Sequence, residues 1–204
     1  MATGRFLRVV AGAAVLALTG CATTTREPAN LNPHKRELRA YVARGDYERE
    51  IAKVAAQARA WIEARATQGG TRLTVIFDLD ETLLFNWPHM SAMDFGYVPR
   101  EWDRWVEEAK APAIEAVRDV YRAARRRGID VVFITGRREN ARAGTERNLR
   151  AIDCADYAAL MFKPMDQQGT TAAFKTAVRQ KLAGEGRTLI ANIGDQESDL
   201  VGGY

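Results

Sequence analysis

Residues Val75 to Leu84 read V-I-F-D-L-D-E-T-L-L, an apolar run followed by Asp78, Asp80 and Thr82. Side chains at the carboxyl end of a parallel strand face the ligand crevice of an α/β protein, so we expect both carboxylates to line one site. Carboxylates this close repel each other, and a hard divalent cation such as Mg²⁺ offsets that cost. The pattern predicts metal-assisted chemistry with one carboxylate as nucleophile. The alternative is a turn or helix cap after a strand, where Asp is common.

Three more apolar runs, at residues 129–134, 159–162 and 188–193, predict three further strands. Apolar residues at helical spacing predict a helix before the first strand and helices between the later ones. The predicted helices begin near Tyr47, at Pro112, after Arg137 and after Thr171, which can cap the last of them. This alternation predicts an α/β fold, a three-layer α/β/α sandwich with a mainly parallel sheet.

The composition is that of an ordinary soluble domain. The chain has 204 residues, of which 47% are hydrophobic and 27% charged, and its formal net charge is +4. Two of the basic residues, Arg5 and Arg8, lie in the N-terminal segment, so the rest is close to neutral. We therefore expect no nucleic-acid polymer as partner. The sequence leaves the oligomeric state open.

Residues 1–20 have the pattern of an export signal: basic residues, the apolar stretch Val9 to Leu18, and small residues. The apolar stretch is too short to span a bilayer. Leu18-Thr19-Gly20-Cys21 resembles the lipobox of bacterial lipoproteins, which implies lipidation of Cys21. With Ala22 next, the resemblance implies an exported protein, lipid-anchored to the outer membrane and facing the periplasm. The alternative is a plain secretory peptide with a chance cysteine.

Residues 21–35, rich in Thr, Pro and Asn, are predicted to form a flexible tether before a domain at 36–204. With Cys21 assigned to lipid, Cys154 has no partner for a disulfide. We expect Cys154 to be a buried, small apolar residue.

A cap insertion is predicted directly after the first strand, at residues 85–111. It is expected to be small, helical and aromatic, and it contains Trp87, Phe95, Tyr97, Trp102 and Trp105. An insertion in this place would lie over the mouth of the site, where its aromatic side chains, Trp87 among them, could contact a substrate. Alternatively, they pack the insertion against the domain.

The second predicted strand runs into Thr135, Gly136 and Arg137, and a helix is expected to follow. A hydroxyl and two backbone amides at such a junction suit the binding of phosphoryl oxygens. The alternative role for Thr135 is that of a helix cap.

The last helix and the last strand bring further charged candidates. Lys175 lies near the start of the helix and could screen the charge of a phosphate, with Lys163 as the rival candidate. The fourth strand ends at Gly194 and Asp195, and Asp199 follows four residues later. Gly194 permits a sharp turn, so both carboxylates could approach one cation.

These four motifs, D-L-D-E-T at 78–82, I-T-G-R at 134–137, F-K at 174–175 and G-D-Q-E-S-D at 194–199, resemble the haloacid dehalogenase (HAD) superfamily. The similarity is greatest to the class B, class C and plant vegetative-storage-type acid phosphatases, whose bacterial class C members are lipoproteins. It implies a Rossmann-like, haloacid dehalogenase-like fold and an Mg²⁺-dependent acid phosphatase acting on small phosphomonoesters, nucleotides among them.

The resemblance also implies residue roles. Asp78 would attack phosphorus to form an aspartyl-phosphate, and Asp80 would protonate the leaving group and later activate water. Thr135 would bind a phosphoryl oxygen. Lys175 would stabilise the phosphorylated aspartate, and its spacing before Asp195 fits the family better than that of Lys163.

The implied Mg²⁺ ligands are Asp78, the main-chain carbonyl of Asp80, and Asp195, with Asp199 binding directly or through water. Family members usually continue with a further strand, so the end of the chain at Tyr204 leads us to expect a C-terminal truncation.

Two other functions compete with the phosphatase. A haloacid dehalogenase proper uses the same nucleophile on carbon, but that subgroup typically lacks the second aspartate. A non-catalytic exported storage or surface protein would keep the fold, although some such relatives have lost the nucleophile that is present here as Asp78.

Overall fold

The computed structural model describes residues 30–203. The predicted signal peptide at 1–20, the predicted lipidation site Cys21 and most of the tether lie outside the described residues. Within residues 30–203, no helix combines the length and the apolar character that a membrane crossing requires.

Seven helices and four strands alternate along the described chain. They are α1 (Leu31–Ala43), α2 (Asp46–Ala66), β1 (Leu73–Phe77), α3 (Trp87–Ala92), α4 (Pro99–Glu108), α5 (Glu115–Arg126), β2 (Asp130–Arg138), α6 (Arg142–Ala151), β3 (Ala159–Lys163), α7 (Thr171–Gly184) and β4 (Thr188–Ile193). Two short 3₁₀ turns cover Glu139–Ala141 and Glu197–Asp199.

The four strands form one parallel sheet in the order β3-β2-β1-β4. Their carboxyl ends therefore lie at one edge, with β1 in the interior between β2 and β4. This confirms the predicted α/β fold class. It also places Asp78, directly after β1, beside the ends of both neighbouring strands.

The two faces of the sheet bury different side chains, because successive residues of a strand point to opposite sides. Val75 and Phe77 pack in one core with Ile62 of α2, Val120 of α5 and Leu149 of α6. Ile76, between them, packs on the other face with side chains of α7. The sheet thus lies between two helical layers, as the alternation of strands and helices predicts.

The cap insertion leaves the sheet after β1 and contains two short helices, α3 and α4. Its base is closed by a hydrogen bond from the Phe85 amide to the Pro112 carbonyl (2.9 Å). The Asn148 side chain also binds both backbone groups of Ala111, at 3.1 and 2.7 Å. Because Pro112 takes part in this closure, α5 begins at Glu115 and not at Pro112 as predicted.

Three other boundaries differ from the sequence-based expectation. Helix α1 begins at Leu31, so the last residues of the predicted tether are helical. Strand β2 continues to Arg138, because Arg138 pairs with Lys163 of β3 beyond an irregularity in the register. The cap of α7 is Thr170, whose hydroxyl accepts from the Ala173 amide at 3.1 Å.

Helix α1 has no buried residue and is held by charged contacts. Lys35 Nζ lies 2.7 Å from a carboxylate oxygen of Asp94, in the cap insertion, and Arg39 binds the same carboxylate at 3.1 Å. The Arg39 guanidinium also lies over the Phe95 ring, 4.9 Å from its centre. Interactions with the cap insertion therefore fix a helix that has little apolar content of its own.

Cys154 is fully buried, as expected for a small apolar residue.

Candidate active site

A pocket of about 390 Å³ opens where the carboxyl ends of the strands meet. It is lined by Asp78, Asp80, Glu81, Met90, Gly136, Thr171, Lys175, Asp195, Gln196 and Ser198. The loops after β1 and β4, Gly136 near the end of β2, the start of α7 and the cap insertion all contribute to its wall.

Asp78 and Lys175 form a buried ion pair at the base of this pocket. Lys175 Nζ donates to Asp78 Oδ1 at 2.5 Å and also binds a carboxylate oxygen of Asp199. Burial raises the pKa of Asp78 to about 7, although the Lys175 charge acts in the opposite direction. Burial would lower the pKa of Lys175, but the two carboxylates outweigh it and raise that pKa, so the ammonium stays charged.

Three carboxylates can share one cation here. Asp78, Asp195 and Asp199 each offer an oxygen, and these oxygens lie within 4.8 Å of one another. Such hard oxygen donors are those that Mg²⁺ prefers, so the donor set fits that ion. Burial also raises the pKa of Asp195.

The turn after β4 holds Asp199 in place. Its carboxylate accepts from the Gln196 amide at 3.0 Å, and its carbonyl accepts from buried Arg179 at 2.9 Å. A side chain at position 194 would overlap the Asp199 carboxylate, so this close approach requires Gly194. The sequence predicts that Gly194 permits a sharp turn, and the structure adds a steric reason for glycine at this position.

Asp80 is oriented differently from Asp78. Arg137 Nη2 lies 2.6 Å from Asp80 Oδ1, and Asn86 Nδ2 donates to the same oxygen at 2.9 Å. The side chain of Asp80 thus lies outside the acidic trio. Binding of a metal ion by the main-chain carbonyl of Asp80 stays a prediction.

Glu81 and Asn86 are site residues that the sequence analysis missed. Glu81 lines the pocket with φ at +55°, and burial raises the pKa of its carboxyl to about 7. The Asn86 amide group and backbone N–H both bind this carboxylate, at 3.0 and 2.7 Å. The available signal was the amide residue near the start of the cap insertion, four residues after the D-L-D-E-T motif.

The three residues predicted to bind phosphate are arranged differently from the expectation. Because β2 continues to Arg138, Thr135, Gly136 and Arg137 do not lie at a helix start. Of the three, within the described chain, Gly136 lines the pocket and the other two do not. The Arg137 amide donates to Thr135 Oγ1 at 3.1 Å, and both side chains are buried.

Two further candidates lie away from the pocket wall. Trp87 stacks against Phe85 with ring centres 6.4 Å apart and is not among the lining residues in the part of the chain described. Its prediction as a substrate contact is therefore not supported by this geometry, because the ring is used in packing. Lys163, the rival lysine, donates to the Gly169 carbonyl at 3.0 Å.

Other aromatic side chains of the cap insertion do form a cavity. A second pocket of about 250 Å³ is lined by His89, Met90, Phe95, Gly96, Tyr97 and Trp102. Met90 lines both pockets, so the aromatic pocket lies next to the acidic one.

Comparison with known proteins gives one consistent result. The family model described as HAD superfamily, subfamily IIIB (Acid phosphatase), matches residues 10–204. Acid phosphatase 1 of Solanum lycopersicum is 34% identical over 166 residues, 79% of this chain and 65% of that protein. Stem 28 kDa glycoprotein of Glycine max is 32% identical over 165 residues, 78% of this chain and 65% of that protein. The matched region thus spans about 65% of the length of these two curated relatives.

The fold also matches a solved structure, the class C acid phosphatase from Bacillus anthracis with tungstate bound. The TM-score is 0.69 at 24% identity, covering 82% of this chain and 72% of that one. At 24% identity, this match shows similarity of fold alone.

Proposed function

Because the chain belongs to the acid phosphatases of HAD subfamily IIIB, we propose that it hydrolyses phosphomonoesters in the acidic pocket at the carboxyl end of the sheet. The observation that carries the proposal is the buried cluster of Asp78, Asp199 and Lys175, with Asp195 beside it. Carboxylates kept close together by one ammonium group suit a site that must accept and neutralise a phosphoryl group.

Asp78 is the proposed nucleophile. Its carboxylate attacks phosphorus, the ester bond to the leaving oxygen breaks, and Asp80 gives that oxygen a proton. Water then attacks the aspartyl-phosphate, gives a proton to Asp80 and releases inorganic phosphate. The proposal is supported by the different surroundings of the two side chains, one against Lys175 and the other against Arg137 and Asn86.

Mg²⁺ is the proposed cofactor, held by Asp78, Asp195 and Asp199 together with the main-chain carbonyl of Asp80. When bound, the ion supplies positive charge that offsets the carboxylates and the phosphoryl oxygens. Lys175 supplies the protein's own positive charge at the same place. Phosphoryl contacts from Thr135, Gly136 and Arg137 belong to the same proposal, and Gly136, on the pocket wall, has the strongest support.

The proposed substrates are small phosphomonoesters whose leaving group carries an aromatic ring, nucleotides among them. Support comes from the aromatic pocket that shares Met90 with the acidic pocket. A planar ring could stack there against Trp102 or Tyr97 while its phosphate reaches Asp78.

Hydrolysis of p-nitrophenyl phosphate tests the function. We expect turnover in Mg²⁺, loss in EDTA, recovery when Mg²⁺ is restored, and loss in Asp78→Asn. Asp119→Asn, at an exposed position on α5, is the matched control and should behave as wild type. Equal turnover in EDTA and in Mg²⁺ would remove the metal from the proposal, and an active Asp78→Asn variant would remove the nucleophile.

A non-catalytic storage role is the second candidate, because a relative from Arabidopsis thaliana, 28% identical over 159 residues, is named Vegetative storage protein 1. The buried Asp78–Lys175 pair favours the enzyme, since a storage protein has no need of a buried charge cluster. Lack of turnover on a panel of nucleotides and sugar phosphates, with Mg²⁺ present, would favour storage.

Lipid anchoring in the outer membrane, facing the periplasm, is the proposed location. Its support is the lipobox-like sequence that ends at Cys21. Labelling with radioactive palmitate tests it: wild type should incorporate label and Cys21→Ser should not. Label retained in Cys21→Ser, or none in wild type, would reject the anchor.

A further inference from the structure

Asp80 is held from one side by a buried arginine. Arg137 Nε lies 3.0 Å from Asp80 Oδ2, and Nη2 lies 2.6 Å from Oδ1, so two N–H groups bind the carboxylate as a fork. The remaining Nη1 donates to Thr145 Oγ1 at 2.9 Å. This third bond fixes the guanidinium plane and, through it, the plane of the Asp80 carboxylate.

Asn86 is the second residue that binds this carboxylate. Its side chain is fully buried. Nδ2 donates to Asp80 Oδ1 at 2.9 Å, and Oδ1 accepts from Trp105 Nε1 at 2.8 Å. An indole N–H can only donate, so the amide oxygen must face Trp105 and the amide nitrogen must face the carboxylates. Trp105 therefore sets the orientation of the amide.

Both contacts lead to helix α4 of the cap insertion. The Arg137 guanidinium lies 5.6 Å from the ring centre of Trp102, one helical turn before Trp105. His89 lies against both tryptophans, with ring centres 5.7 and 5.6 Å apart. One short helix thus contacts each of the two side chains that hold Asp80.

We propose that Asn86 and Arg137 are positioning residues through which helix α4 of the cap insertion orients Asp80 for proton transfer. The inference rests on the proposed function, in which Asp80 gives a proton to the leaving oxygen. Trp102 and His89 also line the aromatic pocket, so a leaving group bound there contacts the structure that orients the acid.

Leaving-group chemistry separates positioning from a merely structural role. An alkyl oxygen needs a proton as its bond to phosphorus breaks, whereas p-nitrophenolate leaves readily without one. The ratio kcat/KM reports the step in which Asp78 forms its bond to phosphorus and the ester bond breaks. A misplaced Asp80 should therefore slow the hydrolysis of alkyl esters far more than that of nitrophenyl esters.

The experiment compares glycerol 2-phosphate with p-nitrophenyl phosphate in Mg²⁺. For Asn86→Ala we expect kcat/KM to fall about 100-fold on the alkyl ester and less than about 10-fold on the nitrophenyl ester. Asn148→Ala is the matched control, since Asn148 is also buried and binds the cap insertion through Ala111 without touching Asp80. This control variant should change kcat/KM for both substrates by the same factor.

Trp105→Phe is the milder variant, because it keeps an aromatic ring and removes the donor to Asn86. We expect it to remain folded and to lose activity selectively on the alkyl ester. Equal losses on both esters in Asn86→Ala and Trp105→Phe would overturn the inference while leaving the proposed function intact. A wild-type protein inactive on both esters would overturn the proposed function and this inference together.

Discussion

Lys175 Nζ lies 2.5 Å from Oδ1 of Asp78, and the same ammonium group binds Asp199. One cation from α7 thereby joins the residue that follows β1 to the turn that follows β4. All three side chains are buried, so water contributes little to the stability of their charges. The cluster is the proposed site of the reaction, and it also stabilises the structure around it.

Lys175→Met should therefore destabilise the metal-free protein strongly. Removing one partner of a buried ion pair leaves uncompensated charge, and we expect the free energy of unfolding at pH 7 to fall by about 3–5 kcal/mol. Urea unfolding in EDTA measures the change. Lys181→Met, at an exposed position on the same helix, is the matched control and should change little. Similar losses in the two variants would contradict the structural role of the pair.

Metal-free stability should also depend on pH. Burial raises the pKa of the Asp78 and Glu81 carboxyls to about 7 in the folded protein, from ordinary values of 3.8 and 4.5. The folded state therefore keeps protons that the unfolded chain releases between about pH 4 and 7. The contribution of these groups to stability is greatest at low pH and is lost as the pH rises towards 7.

Thermal unfolding in EDTA from pH 4 to 8 tests this dependence. The Tm of wild type relative to Asp78→Asn should fall as the pH rises through that window. Added Mg²⁺ should raise the Tm of wild type more at pH 7 than at pH 5, since the metal binds deprotonated carboxylates. A constant Tm difference between the two proteins would show that Asp78 does not titrate as expected.

Patterns in the sequence are sufficient to predict the sheet and the charged residues at its edge. Apolar runs identify buried strands, and parallel strands bring their carboxyl ends together. For this reason Asp78, Asp195 and Lys175 could be predicted to approach one another, as they do in the structure. The roles of these residues in the reaction remain proposals.

The missed features depend on tertiary contacts that leave little local signal. Strand β2 extends to Arg138 because β3 offers a pairing partner there, and no periodicity in the sequence marks this extension. Asn86 is a site residue because Trp105, 19 positions later, orients its amide. The start of helix α1, residues 31–35, is predicted as tether because this segment is polar and contains Pro33, whereas in the structure the helix is held by Asp94 of the cap insertion.

Tyr97→Ala should weaken the binding of aromatic esters selectively. Tyr97 is 71% exposed and lines the aromatic pocket, so its removal deprives a leaving group of a stacking surface without opening the core. Aromatic pairs contribute about 0.5–1.5 kcal/mol, which corresponds to a rise in KM of about 2- to 10-fold. Steady-state kinetics should show this rise for p-nitrophenyl phosphate and none for glycerol 2-phosphate. A parallel rise for both esters would place the leaving group elsewhere.

Helix α4 approaches α6 so closely that only glycine fits at position 144. A side chain there would overlap the Val106 carbonyl of α4. Gly144→Ala should therefore push α4 outwards and lower the free energy of unfolding by about 1–3 kcal/mol, the usual cost of overpacking.

Gly184→Ala is the matched control for this displacement, because no atom beyond its chain neighbours and the backbone of its own helix lies within 4 Å of the added methyl group. It should leave stability unchanged or raise it by up to about 1 kcal/mol, since alanine restricts the unfolded chain. Urea unfolding compares the two variants. Since α4 carries Trp102 and Trp105, Gly144→Ala should also lower kcat/KM for glycerol 2-phosphate more than kcat/KM for p-nitrophenyl phosphate. If Gly144→Ala loses stability but slows both esters by the same factor, helix α4 does not orient Asp80.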